Sequence, residues 1–158
     1  MKTKLSIVSA CICLALAAAC YAAGADDILG VWNNEEKDAR IEVLKCADTY
    51  CGRIIWLKDP NYPAGSTEGT PGTPRLDNHN PDPARRTRPI FGLQIVKNFV
   101  FAGDSLWKGG TVYDPKNGKT YSGKIKLVSP DQLDLRGYIG IPLLGRTTTW
   151  TRWLPNAD

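Results

Sequence analysis

The sequence predicts an all-β chain whose eight strands run up and down in antiparallel order and close into a barrel, interrupted by one long proline-rich loop. Three observations carry that expectation. Apolar and polar residues alternate over short stretches, turn residues separate those stretches, and no segment of useful length repeats with a helical period. A chain of 158 residues, 42% hydrophobic and 23% charged, is of single-domain size and apolar enough to bury a core. Successive hairpins favour a meander, and closing it removes the exposed edges while leaving room inside for side chains or one small ligand. A two-sheet sandwich shares the same periodicity and is the structural alternative.

The strands follow in order. Leu29 to Asn33 is short and ends in the polar turn Asn33 to Asp38. Ala39 to Cys46 alternates, with Ile41 and Val43 on one face and Arg40 and Glu42 on the other. Cys51 to Leu57 is more continuously apolar, and Ile90 to Phe101 is a long apolar run rich in β-branched and aromatic residues. Leu106 to Tyr113 follows a Gly103-Asp104 turn. Asn117-Gly118 then gives the strongest hairpin signal, because both residues accept the positive φ of a tight turn. Thr120 to Leu127 sets Tyr121, Ile125 and Leu127 on one face and Lys124 and Lys126 on the other. A Ser129-Pro130-Asp131-Gln132 turn leads into Leu133 to Ile139, and Thr147 to Trp153 closes the series. Between the third and fourth strands, Asp59 to Arg88 is proline-rich and without period. It exceeds the ~12–15 residues usual for a plain connection, which marks it as a lid, a binding loop or a disordered insertion.

The N-terminus has the plan of a secretory leader: Lys2 and Lys4, an apolar run from Leu5 to Ala19, and the small-residue site Ala23-Gly24-Ala25. Cleavage after Ala25 leaves residues 26–158 as a single periplasmic or secreted bacterial domain with no apolar stretch long enough to span a membrane. Ala17-Ala18-Ala19-Cys20 loosely matches a lipoprotein site, but Leu16 stands one place too far from the cysteine, so lipid anchoring is the second choice. Cys46 and Cys51 then remain as an even pair at the neck of a hairpin, where an oxidising compartment closes a disulfide. So short a loop contributes about 2 kcal/mol in the chain-entropy model. The 20 basic and 16 acidic residues leave too small an excess to argue for a nucleic-acid partner.

Gly30-Val31-Trp32 at the first strand, with Arg146 and Arg152 at the last, resembles the lipocalin and calycin pattern. The resemblance implies that Gly30 and Trp32 lie at a closed barrel end, with Trp32 as its plug and Arg152 packed across the indole. A longer signature is more specific. D-N-x-N-P-D-x-x-x-R-x-R-P-I-x-G-L (Asp77 to Leu93), Y-D-P-x-N-G-K-x-Y (Tyr113 to Tyr121), L-R-G-Y (Leu135 to Tyr138) and G-R-x-x-x-W-x-R (Gly145 to Arg152) are similar to domain of unknown function 2147. That is an exported bacterial family with a lipocalin-like barrel and no settled activity, and the likeness spans essentially the whole mature chain. It implies a fold and a compartment and brings no catalytic residues.

Chemistry-bearing motifs are few. Asp77, His79 and Asp82 offer metal-ligating atoms, yet an Asx-rich loop bonding its own backbone accounts for the two aspartates, and no metal or other cofactor is expected. A single histidine and the absence of nucleophile-elbow or zinc-helix motifs argue against an enzyme. Gly118-Lys119-Thr120 imitates the end of a phosphate loop, but Tyr113 stands where that motif needs glycine. Ligand binding is the better expectation: Trp56, Trp107 and Tyr121 lining a barrel interior, with Arg85 and Arg88 at the loop exit meeting an acidic head group. The competing role for those arginines, and the one the sequence favours, is to bond Asp77 and Asp82 and pin the loop. Ile139 to Gly145 is an apolar connection suited to a hydrophobic lip or to a partner contact. The expected function is non-covalent binding of a small apolar or amphipathic, lipid- or fatty-acid-like molecule. The alternative is an envelope interaction or structural module with a packed barrel and an unknown protein partner.

Overall fold

A computed structural model describes residues 23–155. The basic start and apolar run of the leader, with Cys11, Cys13 and Cys20, lie outside the described residues. Eight strands form the barrel: β1 (Gly30–Asn33), β2 (Ala39–Cys46), β3 (Thr49–Leu57), β4 (Gln94–Phe101), β5 (Leu106–Asp114), β6 (Lys119–Ser129), β7 (Gln132–Tyr138) and β8 (Arg146–Arg152). Each pairs antiparallel with its neighbour in sequence, and β1 closes the barrel on β8 through Trp32 opposite Arg152 and Asn33 opposite Thr151. The barrel thus replaces the sandwich alternative.

The alternation that predicts the strands also sets their inner face. Ala39, Ile41 and Val43 of β2, Ile125 and Leu127 of β6, and Leu133 and Leu135 of β7 are all buried. One irregularity matters for the site. Arg40 pairs with Trp56 and Ile41 with Ile54, so Ile55 is an extra residue that shifts the alternation of β3.

The two ends of the barrel differ. At one end lie the β2–β3, β4–β5 and β6–β7 turns and the segment from Ala23 to Leu29. There Trp32, fully buried, donates from Nε1 to the Ile28 carbonyl at 2.9 Å. The Arg152 guanidinium sits 4.2 Å from the indole centroid and donates to the carbonyls of Asp27, Leu29 and Pro130. Cation–π attraction and satisfied carbonyls together seal this end. The segment Ala23 to Ala25 belongs to the seal, for Ala23 is buried and its N–H donates to Ser105 Oγ at 2.8 Å. The Cys46–Cys51 disulfide, with Cα atoms 5.9 Å apart, staples the β2–β3 turn at the same end.

The opposite end carries the β1–β2 and β5–β6 turns, the β7–β8 connection and the long loop. That loop is organised around its own small core. Tyr62 is buried, and its hydroxyl accepts from the Leu76 N–H and from Asn78 Nδ2. Bridges between Asn61 and Pro74 and between Leu76 and Pro89 fold the loop back on itself, and a 3₁₀ turn at Pro83–Arg85 is capped by Asp82.

Candidate ligand-binding cavity

The interior is solid toward the sealed end and hollow toward the other. Phe99, with no exposed surface, fills the middle of the barrel, and a Cβ at Gly110 or Gly123 would overlap its ring. Two glycines on β5 and β6 therefore make room for one aromatic ring on β4. Beyond it lies a cavity of about 800 Å³, within the ~300–1,000 Å³ typical of small-molecule sites. Ile41, Ile54, Leu57, Ile95, Val112 and Leu135 contribute apolar walls, with Trp150 also in contact. Tyr113, Tyr121 and Tyr138 stand among the polar residues of its mouth.

The mouth carries charge of both signs. Lys116 pairs with Asp38 at 3.0 Å, and Arg146, which also lines the cavity, pairs with Glu35 at 3.0 Å. Burial works against ionisation of Asp38, yet the hydrogen bonds from Asn34 and Lys116 prevail and hold its carboxyl below the usual range. Burial likewise pulls the Lys116 ammonium down, and the hydrogen bond and charge of Asp38 raise it above its ordinary value. Arg75 differs from both. It lines the cavity, donates from Nε to the Asp59 carbonyl at 3.0 Å, and makes no ion pair among the described residues.

The five residues expected to bind ligand fall in different places. Tyr121 lines the cavity, its hydroxyl accepting from Asn117 Nδ2 at 3.1 Å. Trp56 does not, because the bulge at Ile55 turns it outward. There it stacks on the Arg40 guanidinium, 4.4 Å away, which also lies 4.5 Å from the Trp153 ring centroid. Trp107 points inward but lies in the solid half, fully buried, donating from Nε1 to the Ala25 carbonyl and packed edge-on to Tyr50. Arg85 pairs with Asp82 at 3.0 Å on the surface, and Arg88 pairs with Asp77 at 2.8 Å. Both arginines make the loop-pinning contacts, and neither lines the cavity.

Asp77 is the centre of that pinning. Its carboxylate has no exposed surface and accepts from Arg88 Nη2 at 2.8 Å, Asn80 Nδ2 at 2.8 Å and the Tyr113 hydroxyl at 2.5 Å. Tyr113 also lines the cavity, so one side chain links the rim of the site to the core of the loop. The loop packs so closely on the β5–β6 turn that a Cβ at Gly118 would overlap the His79 carbonyl oxygen. Gly118 also holds φ at +71°, a second reason for glycine there. His79 itself is exposed, and no group of three metal-ligating side chains converges among the described residues.

Burial and the neighbouring Asp77 carboxylate push the Tyr113 phenol up to about 12 from an ordinary 10.0. Burial and Asp26 do the same to Tyr50 at the sealed end, also to about 12. Each phenol keeps its proton longer in the folded chain than in the unfolded one. Their contribution to stability is therefore complete below about pH 10 and is lost as pH rises toward about 12. A phenolate absorbance titration should show two tyrosines ionising only as near-ultraviolet circular dichroism collapses in that window. Ionisation of every tyrosine near pH 10 with the fold intact would contradict the assignment.

A closed up-and-down antiparallel barrel, plugged by a Trp–Arg pair at one end and hollow at the other, is a lipocalin-like fold. Residues 30–152 match the model of the DUF2147 family, described as uncharacterized proteins conserved in bacteria, and the chain belongs to that family. Among solved structures, protein HP1028 of Helicobacter pylori, described as belonging to the lipocalin family, is similar in fold. It superposes with a TM-score of 0.66 at 23% sequence identity, over 81% of this chain and 84% of that one. A search of curated protein sequences finds no match.

Proposed function

We propose that this chain binds a small apolar or amphipathic molecule, lipid-like or fatty-acid-like, in the hollow half of its barrel without transforming it. The carrying observation is the cavity of about 800 Å³ with apolar walls and a polar, charged mouth. Burying an acyl chain against such walls supplies affinity at roughly 25 cal/mol per Å² of apolar surface, and the mouth groups set orientation. Arg75 takes over the role expected of Arg85 and Arg88, since it lines the cavity and, though its guanidinium lies 5.8 Å from the Tyr62 ring centroid, it has no carboxylate partner among the described residues. The solid half alone would suit a packed interaction module; the hollow half favours a carrier. The leader-like start of the sequence and the Cys46–Cys51 disulfide support action in the bacterial periplasm or outside the cell.

Native mass spectrometry of protein purified gently from its own compartment tests this proposal. A discrete added mass that leaves with organic solvent is the expected result. Bare polypeptide in repeated preparations, and no uptake of added fatty acid or fatty alcohol, would overturn it.

A further inference from the structure

The β7–β8 connection and the outer face of β5–β7 form one surface of unusual composition. Ile139, Ile141, Leu143 and Leu144 are 65%, 55%, 81% and 78% exposed, and no charged residue lies between Ile139 and Gly145. Scattered exposed aliphatics are ordinary, but four within one short segment are not. Part of the segment's backbone is already satisfied at its tip. Arg136 donates from Nε to the Pro142 carbonyl and from Nη2 to the Leu143 carbonyl, while the N–H groups of Leu144 and Gly145 close the 3₁₀ turn Pro142–Leu144. Such a tip enters an apolar phase without stranding these polar groups.

Arg136 also begins a basic row. Cross-strand register sets it opposite Lys124, and Lys124 opposite Lys108, so three cations stand side by side across β7, β6 and β5. Like charges directly opposite one another destabilise a sheet. None of the three has an ion-pair partner among the described residues, and Lys97 is also exposed, while Lys126, two residues along β6, stands opposite Asp134. β6 has no acidic residue, and β7 has one, Asp134, whose Oδ1 accepts from Thr149 Oγ1. Two facts about the tip and its base thus point the same way: an uncharged apolar projection and an unneutralised cationic row joined through Arg136.

We infer that this surface docks on a lipid bilayer containing anionic phospholipid, with the Ile139–Leu144 tip inserted at the boundary between head groups and acyl chains and the β5–β7 row facing the head groups. Charge complementarity selects the bilayer, and a projecting apolar tip needs no shaped partner pocket. Ile139 and Leu144 also line the cavity mouth, so docking brings the mouth against the membrane. The docking itself does not depend on the cavity being filled.

Vesicle flotation tests it. The full mature chain should float with vesicles of phosphatidylglycerol and phosphatidylcholine in equal parts, less so at high salt, and should stay behind with phosphatidylcholine alone. The double substitutions I141S/L143S and K108Q/K124Q, at side chains that do not line the cavity, should each weaken flotation roughly tenfold or more. All these side chains are at the surface, so circular dichroism and binding of a neutral apolar probe in the cavity should be unchanged. That second readout separates failure of docking from failure of ligand binding. No flotation, equal flotation on both vesicle types, or unchanged flotation of both variants would overturn the inference. Dimerisation in solution lost in I141S/L143S, without flotation, would assign the tip to a second copy of the chain instead.

Discussion

Replacing Asp77 by alanine is expected to destabilise the protein by about 3 kcal/mol and to release the long loop while the barrel stays closed. The carboxylate is fully buried and accepts three hydrogen bonds, so its removal leaves Arg88, Asn80 and Tyr113 each short of a partner. The Arg88 side chain is 37% exposed and recovers some hydration, which places the cost at the lower end of that for a broken buried pair. For a domain of this size the melting temperature should fall by roughly 10 °C. Limited proteolysis should shift to cuts between residues 58 and 93. Tyr113→Phe removes a single hydrogen bond to the same carboxylate and should cost about 1–2 kcal/mol. A melting temperature of Asp77→Ala within ~2 °C of the parent would show that the network does not hold the loop.

Trp32→Ala is expected to be more damaging, at about 3–5 kcal/mol. The indole has no exposed surface, its N–H is committed to Ile28, and its loss also strips Arg152 of the ring it covers. The Arg152 guanidinium holds two carbonyls of the segment before β1 and one of the β6–β7 turn, so a cavity beneath it loosens that segment as well. Gly30 belongs to the same device. Its φ is +122°, and a Cβ there would lie 2.9 Å from Arg152 Nη1, so Gly30→Ala strains the backbone and displaces the guanidinium together. Denaturant titration of Trp32→Ala should show a lowered midpoint with an unchanged slope. Loss of less than ~1 kcal/mol would mean that the indole does not plug the barrel.

Much of this architecture is legible in the chain. Alternation in β2, β6 and β7, the Asn117-Gly118 turn, the Gly30-Val31-Trp32 start and the paired cysteines each translate a local physical rule into an observed feature. Trp56 escapes because period-two counting fails at a bulge, and nothing near Ile55 announces the extra residue. Trp107 escapes for another reason. Alternation gives the face of the sheet but not the height along the barrel axis, and height decides between the packed half and the cavity. Arg75 lies in the proline-rich loop, whose internal core around Tyr62 has no periodic signal. The meeting of Asp77 with Tyr113 joins two stretches that are recognisable one by one, while their contact exists only in three dimensions.

The most direct test of the central claim is fluorescence titration of the purified protein with a neutral apolar probe, run beside Val112→Trp. Val112 lines the hollow half, and an indole there occupies space that a ligand would need without touching the sealed end. The account predicts saturable binding by the parent, displaced by fatty acid, and at least about a tenfold loss in a Val112→Trp variant that melts within ~5 °C of the parent. Equal binding by a folded Val112→Trp, or no saturable binding by the parent, would contradict it.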